Sequence, residues 1–178
     1  TDSELITAVK SDAQTRQIAN RDGDPFGGAL FDHFTAIAEA PDTAADPADL
    51  TSTADYAGSL EVGEDDDRIT SAVAMTVDFG DGTLTGTLDE FRELNDDGPG
   101  DLPIEADLTG TVEDSRLTAS FQEQFDTGDG RVAASGLLEG VFVGDGSEVL
   151  GEARIDSVGG GEEETLNGTF HATEQTTP

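Results

Sequence analysis

Cysteine and tryptophan are missing altogether, and tyrosine and methionine occur once each among 178 residues. Without Cys there are no disulfides, thiolate metal centres, iron–sulfur clusters or cysteine nucleophiles, so packing and hydrogen bonds must hold the fold. Positive charge is nearly as scarce: one Lys, Lys10, and seven Arg stand against 40 Asp plus Glu, a formal net charge of -32. A surface of that sign repels phosphate, which argues against nucleic acid and anionic membranes as partners. No apolar run approaches the roughly 20 residues of a membrane-spanning helix, so no transmembrane segment is expected. An Asp-rich, Lys-poor surface suits a salty medium, where screening shortens the repulsion among carboxylates. The chain opens at Thr1 with neither Met nor a signal-like apolar stretch, as expected of a processed extracellular or cell-surface protein.

What the chain does have is two successive periodicities. Residues 1–50 read as a helical extension. Leu5, Ile6, Val9 and Ile18 are spaced for a short amphipathic helix behind an Asp2 or Ser3 cap. A second helix is predicted from about Pro25 to Ala40, where Phe26, Leu30, Phe34 and Ile37 form one stripe. Pro41, Pro47 and the small polar residues between them read as a linker. From Thr53 the period becomes two: Val73, Met75, Val77 and Phe79 alternate with small or polar residues. Leu84 to Leu88, Ile104 to Val112, Leu117 to Phe121, Val132 to Val143, Val149 to Ile155 and Leu166 to Ala172 continue the pattern. Asp55 to Val62 and the stretch around Ile69 complete it. Gly80-Asp81-Gly82, Gly128-Asp129-Gly130, Gly144-Asp145-Gly146 and Gly159-Gly160-Gly161 punctuate the strands as turns. About eight strands joined by short turns make an antiparallel meander, and closure hides its edges. The expected fold is mainly β: an eight-stranded up-and-down barrel over residues 53–174, with a sandwich as the other arrangement. Gly86, Gly110, Gly136, Gly140, Gly151 and Gly168 at inward positions suit tight curvature.

The chemistry-bearing residues are few. Asp22-Gly23-Asp24 opens like a calcium loop but continues Pro25-Phe26-Gly27, without the later oxygen ligands of an EF-hand. Asp65-Asp66-Asp67 and Asn95-Asp96-Asp97-Gly98 have no ligand spacing and read as solvated turns. Neither a phosphate-cradling glycine loop nor a Gly-x-Ser-x-Gly nucleophile is present, so no enzyme activity is expected. Two histidines exist, His33 on the second helix and His171 on the last strand, facing away from Leu166, Gly168 and Phe170. Ordinary surface residues are one reading of both. The functional reading is axial ligation of haem, for which Tyr56 is the remaining candidate. No other metal site is indicated.

Four segments carry a family resemblance. They are Ala54-Asp55-Tyr56-Ala57-Gly58; Val77-Asp78-Phe79 with Gly82-Thr83-Leu84-Thr85-Gly86-Thr87-Leu88; Gly136-Leu137-Leu138-Glu139-Gly140-Val141-Phe142-Val143-Gly144 leading to Glu148-Val149-Leu150-Gly151; and Leu166-Asn167-Gly168-Thr169-Phe170-His171-Ala172. In their order and spacing they resemble the C-terminal β-barrel of transferrin-binding protein B and related surface lipoproteins, over about Thr53 to Glu174. The resemblance implies a non-enzymatic binding protein, secreted or on the outer surface of a Gram-negative bacterium. It would capture haem or an iron-carrying protein beside a TonB-dependent outer-membrane receptor. Smaller relatives, the haemophilin-like haem carriers, join a compact N-terminal part to an eight-stranded barrel. A second class of function is a structural or adhesive module whose acidic coat binds divalent cations weakly.

Overall fold

The computed structural model describes residues 1–20, 28–64, 67–95, 98–127 and 130–176. Pro25 and Phe26 of the second expected helix, the Asp22-Gly23-Asp24, Asp65-Asp66 and Asp96-Asp97 clusters and Gly128-Asp129 lie outside them. Two helices come first, α1 (Asp2–Asn20) and α2 (Ala29–Glu39). Thr1 Oγ1 accepts from the Glu4 amide at 3.3 Å and the Thr1 backbone nitrogen donates to Glu4 Oε2 at 2.6 Å, closing the first turn of α1 as a capping box. Ile18, expected on the apolar stripe, is 71% exposed, so only Leu5, Ile6, Val9 and Ala13 of α1 are buried. Pro41 follows α2 and stops it, and the Lys10 ammonium caps the freed end by bonding the Ala40 carbonyl. Neither helix is long and apolar enough to cross a membrane.

After a single 3-10 turn, Pro47–Asp49, come β1 (Thr53–Val62), β2 (Arg68–Asp78), β3 (Thr83–Asn95), β4 (Gly98–Asp101), β5 (Ala106–Glu113), β6 (Arg116–Thr127), β7 (Gly130–Val143), β8 (Glu148–Gly159) and β9 (Glu162–Glu174). Every pairing is antiparallel. β2 pairs with β3, and the first strand pairs with the last, so eight strands close into a barrel. The ninth, β4, is a short flap on the end of β3. Ile104, expected to open a strand, lies instead in the connection before β5, behind Pro103, which has no amide hydrogen to donate to a ladder.

Two apolar layers lie on either side of the barrel wall. Inside, Leu60, Val73, Met75, Leu84, Leu108 and Phe170 belong to a filled core. Gly140 and Gly151, opposite each other on β7 and β8, leave the space into which the Phe170 ring fits: an added Cβ would come within 2.6 Å of it at either position. Both ends are stoppered. Ala45 and Leu50 join the core at one end, where the Ala45 amide bonds the Phe142 carbonyl at 2.8 Å. Leu102 and Ile104 pack on it at the other, where the Leu102 amide bonds the Phe91 carbonyl at 2.8 Å. Outside the wall, Val141, Val143 and Leu150 pack with Leu5, Ile6, Val9, Leu30, Phe34 and Ile37 of the helices. Leu94 joins this outer layer because a residue in the left-handed region, Glu90 (φ 50), accompanies a register shift opposite Thr70 and Ala72. Away from the helices the wall is bare and hydroxyl-rich, with Thr76, Thr85, Thr109 and Ser120 facing one another across β2, β3, β5 and β6.

Candidate functional site: the cleft beside the second helix

Alternation along β1 sends Tyr56 and Leu60 inward and Ser59 and Glu61 outward; along β9 it sends Phe170 inward and Thr169 and His171 outward. Register then sets Ser59 against His171 and Glu61 against Thr169. The helix pair covers this patch, and His33 projects from α2 onto it. Its Nδ1 lies 2.6 Å from Ser59 Oγ and its Nε2 3.2 Å from Thr169 Oγ1. Each hydroxyl can donate or accept, so a neutral imidazole is satisfied in either tautomer. One side chain thus bridges the two strands that close the barrel. Burial, with smaller contributions from His171 and Arg16, depresses the His33 pKa to about 3 and keeps the ring neutral.

Beside it, His171 Nε2 sits 2.9 Å from Glu148 Oε2. Glu61 is 1% exposed and belongs to the same polar layer between helix and wall. Arg16 fixes α1 over the edge of this layer: its Nη1 donates to the Gly63 carbonyl at 2.9 Å, its Nε pairs with Asp12 at 3.0 Å, and its guanidinium lies 5.9 Å from the centre of the Phe34 ring. On the other flank of α2 the layer opens into a cleft of about 510 Å³, lined by His33, Ser59, His171 and Arg92 among apolar walls from Leu30, Ala57 and Leu94.

The reading of both histidines as ordinary surface residues is overturned. His33 and His171 are 8% and 9% exposed because the helices lie over the strands that carry their partners. The structure brings these two together and sends Tyr56 to the other side of the wall. There the Tyr56 hydroxyl donates to the Gly146 carbonyl at 2.7 Å, its ring leans on Phe142 with 5.3 Å between centroids, and burial raises its pKa. Scanned against protein-family models, the chain matches none, and no curated protein matches it.

As an axial haem set the three residues do not fit. Tyr56 is inside the core, both His33 nitrogens are held by hydroxyls, and the sealed interior offers no haem-sized space between them. Among the described residues no three His, Asp or Glu side chains converge as a metal-binding group. Ser59 and His33 have the spacing of a nucleophile and its base. The group behind the imidazole, however, is the Thr169 hydroxyl, which has no charge to stabilise an imidazolium, and burial has already lowered the ring's basicity. The pair is suited to fastening the helix to the wall. Ser59 and Thr169, the partners of His33, were not singled out by sequence: each is one of many hydroxyl residues, and only the register between first and last strand makes them neighbours.

Proposed function

We propose that this chain is a non-enzymatic, extracellular or cell-surface binding protein for nutrient capture, recognising its ligand on the outside of a closed barrel. The observation that carries the proposal is the gathering of both histidines of the chain into one partly apolar cleft beside a barrel whose interior is full. Recognition pockets are commonly concave, mostly apolar and furnished with a few convergent polar groups, over roughly 300–1,000 Å³. The resemblance to transferrin-binding proteins supports the nutrient-capture setting and a TonB-dependent receptor as partner. Its haem cargo draws no support from the side chains. The reading as an adhesive, cation-binding coat has the -32 charge in its favour but no convergent carboxylate site among the described residues.

The test is ligand-observed NMR of a small-molecule library against the purified chain and Ala57→Phe, which fills the cleft from its β1 wall. Hits that bind the native chain and are lost in the variant support the proposal. A library in which every hit binds both proteins alike removes it. Haem added to the same sample should show no Soret shift.

A further inference from the structure

Three other grooves on the surface are crowded with carboxylates. The one along α1 carries Asp12, Glu139 and Glu152 against Arg16 and Arg154; the one at the β8–β9 hairpin carries Glu162, Glu163 and Glu164 against Arg131; the one at the β5–β6 turn carries Asp2, Glu113 and Asp114 against Arg116. The cleft beside α2 is lined by one carboxylate, Asp32, which is exposed, together with Arg92 and both histidines, and the Glu148 carboxylate next to it is held by His171 at 2.9 Å. On a molecule of charge -32, a lining in which carboxylate and arginine balance makes this the least hostile of the four grooves to a negative ligand. Arg92 is available to one. Its pairing with Asp101 at 3.1 Å joins side chains 53% and 86% exposed, and an ion pair so open to water is easily exchanged. A planar guanidinium offers a carboxylate two parallel donors. The walls on either side, from Leu30, Ala57 and Leu94, would take a few carbons and no further charge.

We infer that the cleft binds a small monocarboxylate with a short apolar body, its carboxylate on Arg92 and its carbons against Ala57, Leu30 and Leu94. The inference rests on the cleft being the binding site and adds the class of ligand. Amines lack an acceptor for the guanidinium to fill, and neutral amides, with one acceptor oxygen, lose the bidentate pairing and the attraction between opposite charges. Dicarboxylates would bring a second charge against the apolar wall.

Because the chain has only two histidines, its imidazole Cε1–H NMR spectrum has two signals, each from a ring lining the cleft. Butyrate, butyramide and butylamine are titrated at 0.15 M salt into the native chain, Arg92→Gln, Ala57→Phe and the control Arg131→Gln, whose Arg lies in another groove. Butyrate should shift at least one histidine signal of the native chain and of Arg131→Gln, with the other two compounds at least ten-fold weaker. Arg92→Gln should weaken butyrate about ten-fold and reduce its preference over butyramide. Equal or tighter binding of butyramide or butylamine, abolished by Ala57→Phe, would overturn the carboxylate while leaving the cleft in place. Silence of both signals with all three compounds would overturn the carboxylate; if the library hits also ignore Ala57→Phe, the cleft itself falls.

Discussion

His33 is held between two neutral hydroxyls at the place where the helix meets the first and last strands, and its protonation is linked to folding. In the folded chain its pKa is about 3, whereas its ordinary value is 6.5. The unfolded chain therefore binds the extra proton first. Stability from this residue is complete above about pH 6.5 and falls as the pH drops from there toward 3, by at most about 1.4 kcal/mol per pH unit. Urea unfolding of the native chain and of His33→Asn at pH 7.5 and 5.5 should show the native chain losing about 1 kcal/mol more than the variant. Equal losses would mean that the imidazole is not held neutral. A glycine pair sets a second condition at this scale. At Gly151 a methyl group would meet the Glu139 carbonyl oxygen at 2.1 Å and the Phe170 ring at 2.6 Å, whereas at Gly100 it meets nothing within 4 Å. Gly151→Ala should cost about 2–3 kcal/mol and Gly100→Ala less than about 0.5 kcal/mol in the same assay.

The elements differ in how openly the sequence declares them. β2, β5 and β6 alternate apolar and polar residues because one face meets the core and the other meets water, and that pattern is legible without coordinates. β7 and β8 break it: Val141-Phe142-Val143 and Val149-Leu150 are buried on both faces because the helices cover them. Those runs are the one sequence signal of where the helices dock. The cleft has no such signal, since it depends on a β3 irregularity that turns Leu94 toward the helices and on the long-range register of β1 with β9. The stretch from Pro41 to Pro47 reads as a linker by its Pro, Asp and Thr content, yet Ala45 within it and Leu50 just after it form a stopper. Leu50, 8% exposed, packs over Gly146 at the mouth of the barrel. Leu50→Ala should lower stability by about 2–4 kcal/mol, measured by urea unfolding, whereas a linker residue would move it by less than about 0.5 kcal/mol.

For the whole molecule, charge and packing oppose each other. A net charge of -32 on 178 residues favours any expanded state in which carboxylates stand further apart. Among the described residues several of the few cations are engaged in ion pairs, such as Arg154 with Asp156 and Arg116 with Asp2. Salt should therefore stabilise the chain strongly, as the Debye length shrinks from about 10 Å at 0.1 M to about 3 Å at 1 M. The melting temperature should rise by roughly 5–10 °C between 0.1 and 1 M sodium chloride, a stability change of about 2–3 kcal/mol at this length. A flat response in calorimetry would contradict it.

The hydrogen bond between His33 and Thr169 joins residues 136 positions apart, and the neighbouring seam pairs β1 with β9. On a ribosome the two helices and β1 emerge well before the strands of the wall on which they pack. Until β7 to β9 have been synthesised, Phe34 and Ile37 have only the apolar side of α1 to rest against, and the edge of β1 that pairs with β9 is open. The high negative charge sets incomplete copies of the chain against one another by repulsion while the ring waits to shut.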